Sequence, residues 1–237
     1  MSLLSVLKWL YNTRSSSKYV SFLRNQGVIV GENVKFRHPR KTSIDLSRPS
    51  LVTIGNDVDI NDNFSIMTHD FGTTVFKNLY HDFVACSGKV IIGNNIYFGR
   101  NVTVLKGVTI NDNCIIGTGS IVTKDIPANS VACGMPCRRI CSIEDYYNKR
   151  KHLQIKEALE YRDSIMIRFN REPIIEDFFE EWVLFMDEDG LKKHLSMSKH
   201  VDKRVGNFKE DFFNNQKLVF ADFDSFLRAS IDNEYEK

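Results

Sequence analysis

The chain has 237 residues, of which 42% are hydrophobic and 26% charged, an ordinary globular mixture and enough chain for one large domain or a domain with an appendage. A formal net charge of +2 is too balanced to point to nucleic acid or an anionic membrane, and no apolar run approaches the ~18 residues of a membrane helix. Five cysteines in a chain that needs no staples read as reduced thiols of a cytoplasmic protein.

The N-terminal stretch MSLLSVLKWLYNTR carries Leu3, Leu4, Leu7, Trp9 and Leu10 at amphipathic spacing. It has neither a basic start nor a small-residue cleavage site, so a secretory signal is not expected. A helical segment over 1–27, packed on the body, is the expectation, with weak contact to a membrane surface as the alternative.

From residue 28 a six-residue rhythm takes over. Ile92, Phe98, Val104, Ile110, Ile116 and Val122 are all apolar; in a random chain of this composition one chosen phase would do that about half a percent of the time. Ile96, Val102, Val108, Cys114 and Ser120 repeat four residues on, and the phase recurs at Val30, Phe36, Ile54, Ile60 and Ile66. Thr42 and Arg48 interrupt it, in a Pro-flanked stretch expected to be looser. A period of six fits neither a helix nor a two-sided strand. It fits a three-sided parallel coil with one short strand per side and a tight turn at each corner. Gly55-Asn56, Gly93-Asn94-Asn95 and Asn111-Asp112-Asn113 are the expected corners, because Gly and Asn tolerate positive φ.

Between Ile66 and Ile92 the rhythm breaks, and the spacing is not a multiple of six. The segment at about 67–91 is therefore expected to leave the coil as a loop with His69 at its root. Loops of this length in compact folds tend to be functional. Its aromatic residues Phe71, Phe76, Tyr80 and Phe83 are expected to pack on one another. His38 and His81 read as polar surface residues, His81 sharing the loop with His69.

Cys133, Cys137 and Cys141 fall four apart, which is not the spacing of a zinc knuckle, and no fourth ligand lies near them, so no metal is expected. After Cys141 the texture changes: eleven of the 13 glycines and four of the five prolines precede that point. Ser142 with Asp145 reads as a capped helix start. Helical spacing follows through Phe169, with a second helix over IIEDFFEEWVLF and a third near QKLVFADFDSFLRASI. The chain thus divides into 1–27, 28–141 and a helical extension, 142–237.

The run IIGNNIYFGRNVTVLKGVTINDNCIIGTGSIVTKDIPANSVACGMPCRRI resembles the coenzyme A-dependent acyltransferases of the hexapeptide-repeat type, and among them the sugar and polysaccharide O-acetyltransferases. The likeness spans roughly Val28 to Cys141; its most specific part is the closing IVTKDIP with GMPCRRI. The resemblance implies a mainly β fold, a left-handed parallel β-helix, assembled as a homotrimer with active sites in clefts between subunits. It implies transfer of acetyl from acetyl-CoA to a hydroxyl of a saccharide, a cell-surface polysaccharide or its precursor. His69 takes the place of the family's catalytic histidine, and its neighbour Asp70 could fix the histidine tautomer. By the same resemblance Gly99, Gly117 and Thr118 line the pantetheine arm, Thr123 and Lys124 lie near the adenosine end, and Arg138 pairs with a phosphate. Arg139 can replace the second basic residue expected where Cys141 stands. Thr118 replaces the commoner Ala, and Tyr97, beside His81 a candidate for the acceptor, stands where Trp is frequent.

The chemistry is consistent from the bottom up. A hydroxyl is a poor nucleophile at neutral pH, and an imidazole can take its proton in the transition state. N-acetylation of an amino sugar is the near alternative. A metal-dependent hydratase on the same coil would need three histidines that His38, His69 and His81 do not supply, and a purely structural solenoid leaves the loop and the closing segment unexplained.

Overall fold

A computed structural model describes residues 3–230; Met1 and Ser2 of the expected first helix and Ile231 of the expected last one lie outside them. The chain forms two compact units, Met1–Tyr146 and Tyr147–Lys237.

The first unit opens with α1 (Leu3–Asn12) and α2 (Ser16–Gln26), the latter capped by Ser15 and ended by Gly27 at φ 99°. Coils follow: β1 (Ile29–Val30), β2 (Lys35–Phe36), β3 (Ser43–Ile44); then β4 (Val52–Ile54), β5 (Val58–Ile60), β6 (Ser65–Ile66). The departing segment holds α3 (Thr73–Tyr80), after which come β7 (Val90–Ile92), β8 (Ile96–Phe98), β9 (Thr103–Val104), β10 (Thr109–Ile110), β11 (Cys114–Ile116) and β12 (Ile121–Val122). Successive strands join successive sheets, so three parallel sheets form, ordered β1-β4-β7-β10, β2-β5-β8-β11 and β3-β6-β9-β12. The hexad residues point inward: Ile92, Phe98, Val104, Ile110, Ile116 and Val122 are each 1% exposed or less. β13 (Ser130–Cys133) extends the second sheet, and β14 (Arg138–Ser142) folds back on it antiparallel, ending the coil. At the other end Tyr19 packs edge-on to Phe36 at 4.9 Å, and Ser16 Oγ accepts from Phe36 N–H at 2.9 Å. An open stack of apolar coils needs such a cover.

Three expectations need correction here. At the corners, positive φ falls on Asp57, Asn95 and Asn113, not on Gly55 or Gly93. Gly55 is required by the approach of the next coil, since a Cβ there would lie 2.4 Å from Gly93 O. In the first coil, the 3-10 turn Pro39–Lys41 inserts residues at a corner, so Ile44 faces inward instead of Thr42, and the turn Pro49–Leu51 inserts more at the next corner, before β4. The departing segment is not wholly loop, for it contains α3, and strand structure resumes at Val90. Its insertion is measured by register: Asn56 bonds Asn94, 38 positions on, whereas Asn94 bonds Asp112, 18 on.

The second unit is helical. α4 (Ile143–Phe169) begins in the first unit, where Ser142 Oγ accepts from Asp145 N–H at 3.0 Å and donates back to its carboxylate. IIEDFFEEWVLF is not an α-helix but two 3-10 turns, Ile175–Asp177 and Glu181–Leu184. Leu184, Phe185 and Met186 are consecutive and all buried, which a single helix face cannot achieve. α5 (Glu188–Lys193), α6 (Leu195–Val205) and α7 (Lys209–Asn215) follow where no element was expected, and the last helix is short, α8 (Phe223–Arg228). Phe178, Phe185 and Phe226 centre its core, with ring centroids 4.9–6.1 Å apart.

Candidate active site

β3 and β6 pair in parallel with Ile44 opposite Ile66. The residues leaving these strands, Asp45–Ser47 and Met67–His69, are therefore forced side by side, although 24 positions separate Asp45 from His69. His69 Nδ1 lies 2.6 Å from Asp45 Oδ2. The same oxygen accepts from the Thr68 N–H at 3.1 Å and from the Thr68 hydroxyl, while Oδ1 accepts from Ser47 N–H at 3.0 Å and Ser47 Oγ at 2.7 Å. Burial pushes the Asp45 carboxyl up, and the hydrogen bonds from Thr68 and Ser47 more than offset it, holding the group well below the usual carboxylate range. An ionised Asp45 can only accept, so neutral His69 carries its proton on Nδ1 and keeps a lone pair on Nε2. The pair is largely enclosed, with side chains 18% and 13% exposed, and Phe71 stands edge-on to the His69 ring at 5.2 Å.

Asp70 does not serve His69. Its carboxylate takes the Lys106 ammonium and the Gly72 N–H, and these bonds, Lys106 first, hold it well below the usual range. Adjacent residues on an extended backbone point to opposite sides, so the acid beside His69 comes from the neighbouring coil. The root of the departing segment is closed by Gly88 N–H on Thr68 O at 2.9 Å.

The residues expected along the thioester donor fall at two corners and on β14. Gly99 and Thr118 stack in adjacent coils, where a Cβ on Gly99 would lie 2.6 Å from Thr118 N, and one on Gly117 would lie 2.7 Å from Cys133 Cβ. Coil stacking alone thus demands both glycines, whose neighbours in the next coil, Thr118 and Cys133, supply the side chains of that edge. Thr118 Oγ1 accepts from Arg100 N–H at 3.3 Å. Thr123 and Lys124 follow β12 and are exposed; on β14, Arg138 donates to Cys137 O at 2.7 Å and Arg139 to Ser130 Oγ at 3.2 Å.

A model of the bacterial transferase hexapeptide (six repeats) family matches residues 89–124. Protein CapG of Staphylococcus aureus is 35% identical over 150 residues, 63% of this chain and 86% of that protein. The chain belongs to the hexapeptide-repeat transferases. Galactoside O-acetyltransferase of Escherichia coli (strain K12) is 44% identical over 106 residues, 45% of this chain, so the match spans half, 50%, of that relative's length. A solved structure, galactoside acetyltransferase in complex with coenzyme A, is 32% identical with a TM-score of 0.47 over 61% of this chain and 80% of that one.

In this hexapeptide transferase, sequence reading missed Asp45, Ser47 and Thr68. The signal was available in principle: Asp45 directly follows an inward residue one coil before His69, but the inserted turns had obscured that register. His38, read as a polar surface residue, is exposed and pairs with Asp62, which also receives Lys41 Nζ at 3.4 Å. Tyr97 is exposed and its hydroxyl accepts from Asn61 at 3.3 Å. His81 ends α3 at φ 54° and is exposed. Phe71, Tyr80 and Phe83 do not pack on one another; they are 74%, 68% and 73% exposed.

Proposed function

We propose that this chain is an acetyl-CoA-dependent O-acetyltransferase that acylates a saccharide hydroxyl, with His69 as general base and Asp45 as the residue that orients it. The observation that carries the proposal is the 2.6 Å contact of His69 Nδ1 with an Asp45 carboxylate held ionised. The His69 Nε2 lone pair accepts the hydroxyl proton as the sugar oxygen attacks the thioester carbonyl. The tetrahedral intermediate collapses, the C–S bond breaks, and the imidazolium returns its proton to the departing thiolate. Asp45 stabilises the imidazolium while it exists, in a partly enclosed site where charge–charge attraction is stronger than in water.

The edge at Gly99 and Gly117, where the neighbouring side chains of Thr118 and Cys133 are small, supports placement of the pantetheine arm there. Exposed Thr123, Lys124, Arg138 and Arg139 support the nucleotide and phosphate end, guanidinium being suited to phosphate oxygens. Asp70 is assigned to the root of the departing segment. His81 and Tyr97 are assigned to the acceptor side. The coil is taken as left-handed and the assembly as a homotrimer. In support, α3 and its flanks leave Val75, Leu79, Tyr80 and Phe83 62–73% exposed, an apolar face that a neighbouring copy would cover. The five cysteines are free thiols, which supports a cytoplasmic enzyme acting on a polysaccharide precursor; among the described residues no helix is long and apolar enough to cross a membrane.

The test is thiol release from acetyl-CoA across a panel of hydroxyl and amino sugars, with product mapping by NMR. Ester products that depend on His69 are expected. Amide products would move the assignment to N-transfer, and no turnover on any acceptor would remove it.

A further inference from the structure

The second unit contains a cleft of ≈ 520 Å³ whose lining includes none of the residues assigned to acetyl transfer. Its two walls are helix faces that fail to meet. Tyr147, Lys151 and Gln154 fall on one face of α4, and Phe208, Asp211, Phe212 and Asn215 on one face of the turn leading into α7 and of α7 itself. Spacings of three and four residues put each set on a single stripe. Val183, Leu184 and Val219 form the floor. The volume lies within the roughly 300–1,000 Å³ of small-molecule sites and is too small for a partner helix of several turns.

The polar groups of the lining decide what class of ligand fits. Both amide hydrogens of Gln216 are engaged, on Val183 O at 3.1 Å and Met186 O at 2.9 Å, and the Asn215 amide donates to Asp211 O at 2.8 Å. The amide hydrogens of Gln216 are therefore spoken for, which leaves Gln154 and the Tyr147 hydroxyl as the main uncharged polar groups of the lining. The ammonium groups of Lys151 and Lys217 are exposed, and neither has a carboxylate partner among the described residues; the contact recorded for Lys151 is with the Tyr147 ring, at 5.6 Å. They stand against a single acid, Asp211, in the lining. Phe208, 73% exposed, and the half-buried Phe212 supply apolar surface beside them. Apolar walls with two available cations match a chain that ends in an anion.

We propose that this cleft binds a single-chain amphiphile with a phosphate head, the chain lying on Phe208, Phe212 and Val219 and the phosphate meeting Lys151 and Lys217. This site is independent of the acetyl-transfer reading, and its test needs no acetyl-CoA.

A reporter is already in place. Trp182 is 3% exposed and its ring centroid lies 5.5 Å from that of Phe212, a wall of the cleft. The other of the two tryptophans is Trp9, so full-length Trp9→Phe protein reports from Trp182 alone. Dodecyl phosphate, titrated below its micelle concentration, is expected to change that fluorescence saturably. Lys151→Glu/Lys217→Glu should raise the Kd by about tenfold or more. Dodecanol, which lacks the head, and butyl phosphate, which lacks the chain, should each bind at least about tenfold more weakly. Phe208→Ser, at an exposed position, should also weaken binding, with circular dichroism verifying the fold of both variants. No saturable response overturns the proposal, as does an affinity unchanged in both variants. Equal affinity for dodecanol overturns the anionic head, and tighter binding of maltohexaose than of dodecyl phosphate makes the cleft a saccharide site instead.

Discussion

Asp45→Asn is the sharpest test of the active site, because it keeps the side chain's shape and removes its charge and half its acceptor capacity. Asp45 Oδ2 receives Thr68 N–H, the Thr68 hydroxyl and His69 Nδ1–H, and Oδ1 receives the Ser47 N–H and hydroxyl. An amide has one accepting oxygen, so its NH2 must face one of these sets. Turned toward His69, it donates to Nδ1 and moves the ring proton to Nε2, where the lone pair is needed. Turned toward Ser47, it leaves His69 bonded to a neutral carbonyl that cannot stabilise the imidazolium. Either orientation sets a backbone N–H against another donor, at about 1–3 kcal/mol of stability. Turnover should fall by about 10²–10⁴-fold, or about 3–5 kcal/mol in the barrier, with acetyl-CoA affinity nearly unchanged. Thiol release measures the rate, and long-range ¹⁵N–¹H correlation of the His69 ring reports the tautomer directly. Asp45→Asn/His69→Ala should be no slower than His69→Ala, because residues acting as a unit are not additive. A rate within about threefold of the native one, with the Nδ1–H tautomer retained, would refute the reasoning.

The remaining expectations concern the frame and the donor. Asp45 has a depressed carboxyl, so the folded chain binds fewer protons there than the unfolded one. Its stabilising contribution is full above the ordinary carboxyl pKa and is lost as pH falls below about 4; acid unfolding should be less steep in Asp45→Asn, and an identical acid limb would contradict this. Gly55→Ala pushes a Cβ to 2.4 Å from Gly93 O, where the obstacle is backbone; a loss of about 1–3 kcal/mol in thermal unfolding is expected, and an unchanged Tm would mean the coils can part without strain. Arg162 is buried at 4% exposure and donates to Phe226 O at 2.8 Å and Ala229 O at 2.6 Å at the end of α8. Arg162→Ala should lower the second unit's stability by about 3 kcal/mol, followed by Trp182 fluorescence in denaturant, and a smaller loss than about 1 kcal/mol would show that water replaces those bonds. Arg138→Ala should weaken acetyl-CoA binding with the fold intact, and unchanged binding by calorimetry would remove Arg138 from the donor site.

What could be read from sequence depended on whether each coil keeps the six-residue step. From Ile92 to Val122 it does, and every expected inward residue is inward. In the first coil the 3-10 turn at Pro39 adds residues at a corner, so counting by six from Phe36 arrives at Thr42 when the chain has turned Ile44 inward, and the turn at Pro49 adds more at the next corner. In a solenoid the neighbours of a residue sit one coil away, and an insertion hides them while the strands still pair. Asp45 was lost in this way: its contact with His69 follows from Ile44 opposite Ile66, a register that the inserted turns obscure. The helical unit was less legible for a different reason. Leu184, Phe185 and Met186 are buried in sequence because a multi-helix core can surround a turn on all sides, and no periodicity records that. The proposed pair of His69 and Asp45 therefore sits where two coils each depart from the repeat, one through inserted turns and one through the departing segment. Departure frees a side chain from the inward–outward alternation that the coil imposes, and a base and its orienting acid need that freedom to meet at the coil's edge.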